Sequence, residues 1–202
     1  LKFQYGKILV NGKEMSYQEL SRKSLFIMQE AEFQFFTNSV LSELKYGANP
    51  SKYAVIEPLL KQFNMWEYRN RHPFSLSGGE MQKLTLMMAY LSDKRMIVLD
   101  EPTSGLDKKS LDTIIELIKE MKKQKIVVVI SHDLELIAAV SNKCLEIKDG
   151  VIRRILEINS KESIENIAKI FETDCFENRT HSEKGNKILD PRTNLLFLLL
   201  CM

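Results

Sequence analysis

An aspartate and a glutamate stand side by side where a continuous apolar run ends, in Met96-Ile97-Val98-Leu99-Asp100-Glu101. A carboxylate in the place of Asp100 suits a hydrated magnesium ion, because magnesium keeps several waters and takes only one or two carboxylates. Its neighbour Glu101 can reach a nucleophilic water. As general base or water-orienting group it would contribute about a hundred- to ten-thousand-fold in rate. An isolated Asp-Glu pair could equally well cap a loop. The attached Pro102-Thr103-Ser104-Gly105-Leu106-Asp107 is what favours the catalytic reading.

A second group of residues binds anions. In Leu76-Ser77-Gly78-Gly79-Glu80, two glycines open a helix and expose backbone N–H groups that have no intrahelical acceptor. The positive end of the helix dipole points from the same place, so a phosphate is stabilised there, and Ser77 adds a hydroxyl donor. Ser-Gly-Gly before a helix is common loop chemistry when it occurs alone. Here it lies one helix upstream of the Asp-Glu strand, and the pair implies nucleotide hydrolysis. The loop G-x-x-x-x-G-K-[ST], which would cradle the phosphates of a nucleotide, is nowhere in the chain. Gly6-Lys7 and Gly12-Lys13 lack both the upstream glycine and the following hydroxyl.

The elements that must position these groups alternate between strand and helix. Ile8-Leu9-Val10 followed by Asn11-Gly12 reads as a strand entering a two-residue hairpin turn. Ser24 to Met28 is a second apolar piece that ends at Gln29, and from about Ser39 to Leu91 the apolar residues recur at helical spacing. Met96 to Leu99 is a run of the kind buried on both faces of a parallel sheet. Leu111, Ile114, Ile115, Ile118 and Met121 then mark one face of a helix, with Lys119, Lys122, Lys123 and Lys125 at its C-terminal end as a solvated face that suits the helix dipole. Ile126-Val127-Val128-Val129-Ile130 is a buried strand bounded by Ser131-His132. Strand, helix, strand in this order predicts a right-handed crossover in a parallel sheet. Ligands sit beyond the carboxyl ends of such strands, so Asp100-Glu101 and His132 should converge on one rim.

Composition narrows the class further. The chain has 202 residues, is 44% hydrophobic and 28% charged, and carries a net charge of +2. That is enough chain for a sizeable core, and too little positive excess for a nucleic-acid footprint. Cys144, Cys175 and Cys201 have no metal-site spacing and read as packing residues in a reducing compartment. His72 and His181 lack the context of His132 and read as surface residues.

These residues resemble an ATP-binding cassette of the ABC transporter family. Leu76 to Glu80 looks like its signature sequence, Met96 to Glu101 its Walker B strand, Ser104 to Asp107 its D-loop, and His132 its switch histidine. Gln29 with the following Glu30 to Val40 looks like its Q-loop and the entry to its helical subdomain. The resemblance implies an α/β fold with a P-loop NTPase-like parallel sheet core and a helical signature subdomain at about residues 33–92. The ATPase domain would occupy residues 1–155, a C-terminal helix and polar linker 156–187, and a further segment 188–202. The first strands and the Walker A loop would precede Leu1, so the resemblance implies an N-terminally truncated cassette.

It also implies roles. ATP and Mg2+ are the expected ligands, and the cassette works head to tail with a second cassette, in the same chain or another. Ser77, Gly78, Gly79 and Glu80 would meet a nucleotide held by the partner, with Asp107 crossing the interface. Gln29 and Asp100 would hold the metal and nucleotide, while Glu101 and His132 carry catalysis. Phe26-Ile27-Met28-Gln29-Glu30 and Gln34-Phe35-Phe36-Thr37 are similar to the ATPases of energy-coupling factor importers. In those importers the ATPase lies on the cytoplasmic face of the cell membrane, against a transmembrane coupling protein and a substrate-binding membrane component. Residues 188–202, with Asp190-Pro191-Arg192-Thr193 before a leucine run, resemble the start of the coupling T component. The apolar run alone is too short to span a bilayer, which takes roughly twenty residues, and also fits a buried C-terminal strand or short helix. Two alternatives remain: a soluble tandem-cassette translation factor, or a piece inactive by itself that supplies only the signature half of a partner's site. Chromosome-structure and DNA-repair ATPases separate these motifs by long coiled coils or zinc modules, and Gln29 to Leu76 holds neither.

Overall fold

The computed structural model describes residues 8–10, 12–28, 35–104, 106–148, 151–159, positions 165, 167 and 169, and 196–201. The chain divides into two compact units, Leu1–Val98 and Leu99–Met202.

The first unit begins with the expected hairpin. β1 (Ile8–Val10) and β2 (Lys13–Met15) pair antiparallel with Val10 opposite Lys13. Gly12 takes φ 76°, which a side chain would resist. A short helix follows that the apolar pattern does not announce, α1 (Tyr17–Lys23). Its signal is a capping box: the Glu19 N–H donates to the Ser16 hydroxyl and the Ser16 N–H donates to the Glu19 carboxylate. β3 (Ser24–Ile27) comes next.

Three helices carry the rest of this unit: α2 (Val40–Gly47), α3 (Tyr53–Gln62) and α4 (Gly78–Leu91). Val40 and Leu44 of α2, Ile56 and Leu60 of α3, and Leu84, Met87 and Leu91 of α4 are buried and form their core. The first orphan donors of α2 are met by the connection that precedes α4, since the Val40 and Leu41 N–H groups donate to the carbonyls of Arg71 and Arg69 at 3.0 and 2.9 Å. Glu43 is buried on α2, and its carboxylate accepts from the Phe36 N–H, the Thr37 N–H and the Thr37 hydroxyl. The Arg95 N–H donates to the Lys23 carbonyl at 3.0 Å, which sets the chain entering β4 beside the chain entering β3.

β4 (Met96–Asp100) leads into the second unit. There α5 (Lys108–Lys122), β5 (Ile126–Ile130), α6 (Leu134–Val140), β6 (Lys143–Lys148), β7 (Val151–Glu157) and β8 (Leu196–Cys201) follow, and the strands lie in the order β4-β5-β8-β6-β7. The Glu101 N–H donates to the Ile130 carbonyl at 2.8 Å, so β4 and β5 end side by side, as parallel neighbours joined by a helix must. β8 runs antiparallel to both β5 and β6, with Val129 and Cys144 both opposite Leu199. Of residues 188–202 these six alone are described, and they form a strand. Among the described residues no helix is long and apolar enough to cross a membrane.

The apolar face of α5 is buried as its spacing requires, from Leu111 to Met121. Two expectations change. β4 is buried on one face, through Ile97 and Leu99, while Met96, Val98 and Asp100 are half-buried. The lysines at the C-terminal end of α5 are not one solvated face either. Lys119 and Lys123 make exposed pairs with Glu116 and Glu120, but Lys122 donates to the Val140 carbonyl at the end of α6 and to the Asn142 side chain, and Lys125 is buried.

Candidate functional site

The second unit brings Glu101 and His132 together. Each follows the carboxyl end of a strand, β4 and β5, and the His132 Nδ1 lies 2.8 Å from the Glu101 Oε1. An ionised carboxylate can only accept, so Nδ1 carries the proton and donates. The Glu101 side chain is 16% exposed and that of His132 71%. Glu101 holds φ 48°, a left-handed conformation that costs a non-glycine residue about 1–2 kcal/mol. Its N–H is tied to Ile130 and its carbonyl accepts from the Ser104 N–H at 3.2 Å, which maintains the strained turn. Around the pair lies a cleft of about 460 Å³, lined by Glu101, Thr103, Ser104, His132, Asp133 and adjoining residues of α6.

Asp100 ends β4 half-buried, and burial pushes its carboxyl above the ordinary aspartate range. No cluster of three metal-ligating side chains exists among the described residues. A cation at Asp100 would therefore draw most of its oxygens from water or phosphate, which is how magnesium is commonly held. Burial disfavours the charged form of that carboxyl, and a bound cation would offset the charge. Gln29 and Gly105 fall outside the described residues.

Two residues of this site carried no role in the sequence. Thr103 is buried, and its hydroxyl donates to the Asp133 Oδ2 at 3.0 Å. The Asp133 Oδ1 accepts the Glu135 and Leu136 N–H groups and so caps α6. An aspartate immediately before the apolar residues Leu134, Leu136, Ile137 and Val140 is the signal that could have found the helix and its cap. Asp107 caps α5, accepting the Ser110 N–H at 2.9 Å.

In the first unit, Ser77 is the N-cap of α4, and Gly78, Gly79 and Glu80 form its first turn. Ser77 and Glu80 close a capping box: the Ser77 N–H donates to the Glu80 carboxylate at 2.8 Å and the Glu80 N–H donates to the Ser77 hydroxyl. Burial pushes the Glu80 carboxyl up, but the Ser77 N–H and hydroxyl, the Tyr68 hydroxyl and Lys83 together hold it below the ordinary glutamate range. Apart from its chain neighbours and the backbone of its own helix, nothing lies within 4 Å of where a side chain on Gly78 would begin. His72, exposed as expected, accepts the Phe74 N–H through Nδ1.

Comparison with known proteins shows the family and the fold of the chain. The ABC transporter family profile matches residues 1–104. A putative ABC transporter ATP-binding protein of Pyrococcus horikoshii is 33% identical over 165 residues, covering 76% of this chain and 63% of that protein. A putative HMP/thiamine import ATP-binding protein of Bacillus subtilis, YkoD, is 31% identical over 155 residues, covering 74% of this chain and 28% of the relative. The chain thus spans less than two thirds of these relatives' length. The dimeric structure of the ATP-binding cassette MJ0796 in a post-hydrolysis state with ADP and Pi superposes with a TM-score of 0.63, at 22% identity over 78% of this chain and 75% of that one. At that identity the likeness concerns the fold.

Proposed function

The chain belongs to the ABC transporter family of ATP-binding cassettes, and from that premise we propose that it hydrolyses ATP to drive import of a small solute through a membrane partner. The observation that carries the reading is the Glu101–His132 hydrogen bond at the paired ends of β4 and β5. Glu101 accepts a proton from the attacking water, or orients it, while His132 fixes the carboxylate and presents its other ring nitrogen to the γ-phosphate. Asp100, with Gln29, would hold a magnesium ion, which when bound offsets the charge of the phosphates. Ser77 and the N–H groups of Gly78 and Gly79 face a nucleotide held by a second cassette. Asp107 lies at the same interface, and Glu80 keeps the helix start in shape through its capping box.

Three observations support the importer reading. The Bacillus relative is named for HMP/thiamine import. The aromatic segment around Gln29 is similar to that of energy-coupling factor ATPases, whose cassettes meet a transmembrane coupling protein on the cytoplasmic face of the membrane. Phe36 in that segment and Tyr46 after it stay exposed and in ring contact, as a docking surface requires. The solute is set by the membrane component.

Turnover by the assembled complex tests the reading. The wild type should release phosphate from ATP in the presence of Mg2+, and Glu101→Gln should lower kcat by about 10²–10⁴-fold with ATP binding retained. Undiminished turnover in Glu101→Gln would overturn the role of Glu101. Full-length protein that fails to sediment with membrane vesicles bearing its partner would overturn the importer.

A further inference from the structure

We propose that Thr103 and Asp133 are positioning residues, a latch that holds Glu101 and His132 in register. The inference rests on the catalytic reading of that pair. Four contacts close a ring. Glu101 is joined through Pro102 to Thr103; the Thr103 hydroxyl donates to Asp133; Asp133 is covalently next to His132; and His132 donates back to Glu101. Displacing either member of the pair therefore strains or breaks the Thr103–Asp133 bond.

The latch is placed where its bond is strong. Thr103 is buried at 8% exposure, so its hydroxyl has little access to competing water, and a hydroxyl donating to a carboxylate is a charge-assisted bond. Asp133 is itself anchored. Its Oδ1 is committed to the first turn of α6, its N–H donates to the buried Ser131 hydroxyl at 3.1 Å, and only Oδ2 faces Thr103. His132, by contrast, is 71% exposed and has Glu101 as its side-chain partner. A ring so open to water owes its place to the backbone on either side of it, and that backbone is held by Asp133. Glu101 likewise sits in a left-handed conformation that the surrounding turn must enforce, and Thr103 is the buried side chain that ties this turn to the β5 side.

Thr103→Val tests this directly, since it removes the hydroxyl, keeps the shape and leaves the Asp133 cap of α6 untouched. In the assembled complex, kcat for ATP should fall about tenfold or more while KM stays within about threefold, and Thr103→Ser should restore most of the loss. The double variant Thr103→Val with Asp133→Asn should cost little more than Thr103→Val alone, because the hydroxyl that position 133 binds is already gone. Turnover of Thr103→Val within twofold of the wild type, or a rise in KM at constant kcat, would overturn the latch. A second measurement needs no turnover. In the chain with 15N-labelled histidine, the His132 Nδ1 resonance should report a protonated nitrogen, move away from that form in Thr103→Val, and return in Thr103→Ser. An unchanged resonance in Thr103→Val would overturn the latch even in an active enzyme, whereas a wild type without ATPase activity would sink the functional reading and leave this measurement to decide the latch.

Discussion

The His132 Nδ1–H donates to the Glu101 Oε1 across 2.8 Å, joining strand ends that lie 31 residues apart in the chain. Neither residue gains enough from this bond to explain it by stability alone, because the histidine is 71% exposed and water can replace its partner. The bond instead fixes which ring nitrogen carries the proton, and leaves the second nitrogen for a ligand.

That relationship predicts coupled effects. Glu101→Gln and His132→Ala should each reduce kcat by about a hundredfold or more, and the double variant should be no worse than the poorer single one, since in the proposed reaction the two groups act on one water. Thermal stability of His132→Ala should stay close to that of the wild type. Additive losses in kcat would separate the two residues into independent roles.

Glu101 makes a second prediction through its backbone. At φ 48° any side chain is strained and glycine is not, so Glu101→Gly should be more stable than Glu101→Ala by about 1 kcal/mol, with both inactive. Denaturant midpoints of the two variants decide it. Equal stability would show that the turn relaxes once the carboxylate is gone, and that the strain exists only to aim it.

The strands and helices that bear the candidate site are legible because their signals are local. An apolar run ending in Asp100-Glu101, a β-branched run ending at Ser131-His132, and Ser77 before two glycines each declare an element and its boundary within a few residues. What could not be read is what closes between distant segments. The Thr103–Asp133 bond joins two loops whose spacing is set by the β4–β5 pairing, and the burial of Lys125 and the reach of Lys122 to the end of α6 depend on packing that charge patterning does not encode. Leu196–Cys201 shows the same limit. A short leucine run has no period that separates strand from helix, and its place between β5 and β6 is decided by the ladder bonds those two strands offer.

Cys144 predicts a pH dependence. Burial, followed by the charge of Glu146, pushes its thiol from 9.0 up to about 12. A thiol whose pKa is raised on folding contributes stability that is intact below the unfolded value and is lost as pH rises towards the folded one. Between pH 9 and about 12 the unfolding free energy of the wild type should therefore fall more steeply than that of Cys144→Ala, by up to about 1.4 kcal/mol per pH unit. At pH 8 the native thiol should resist alkylation and react only on unfolding. Parallel pH profiles for the two proteins would show that the thiol reaches water.

Glu43 is the residue on which the entry to α2 depends. Its buried carboxylate accepts the Thr37 hydroxyl at 2.7 Å, the Thr37 N–H at 2.8 Å and the Phe36 N–H at 3.1 Å, so one side chain satisfies three donors ahead of the helix. Glu43→Leu keeps the volume but leaves those donors without an acceptor, at a cost of about 2–4 kcal/mol. Glu43→Gln retains one acceptor oxygen and should lose less. Urea unfolding should show the midpoints falling in the order wild type, Glu43→Gln, Glu43→Leu, with the slope unchanged. Because Phe36 carries one of the exposed rings that face a membrane partner in the proposed importer, Glu43→Gln should also weaken stimulation of ATP turnover by that partner more than it weakens basal turnover. Equal loss of both would assign Glu43 to stability alone.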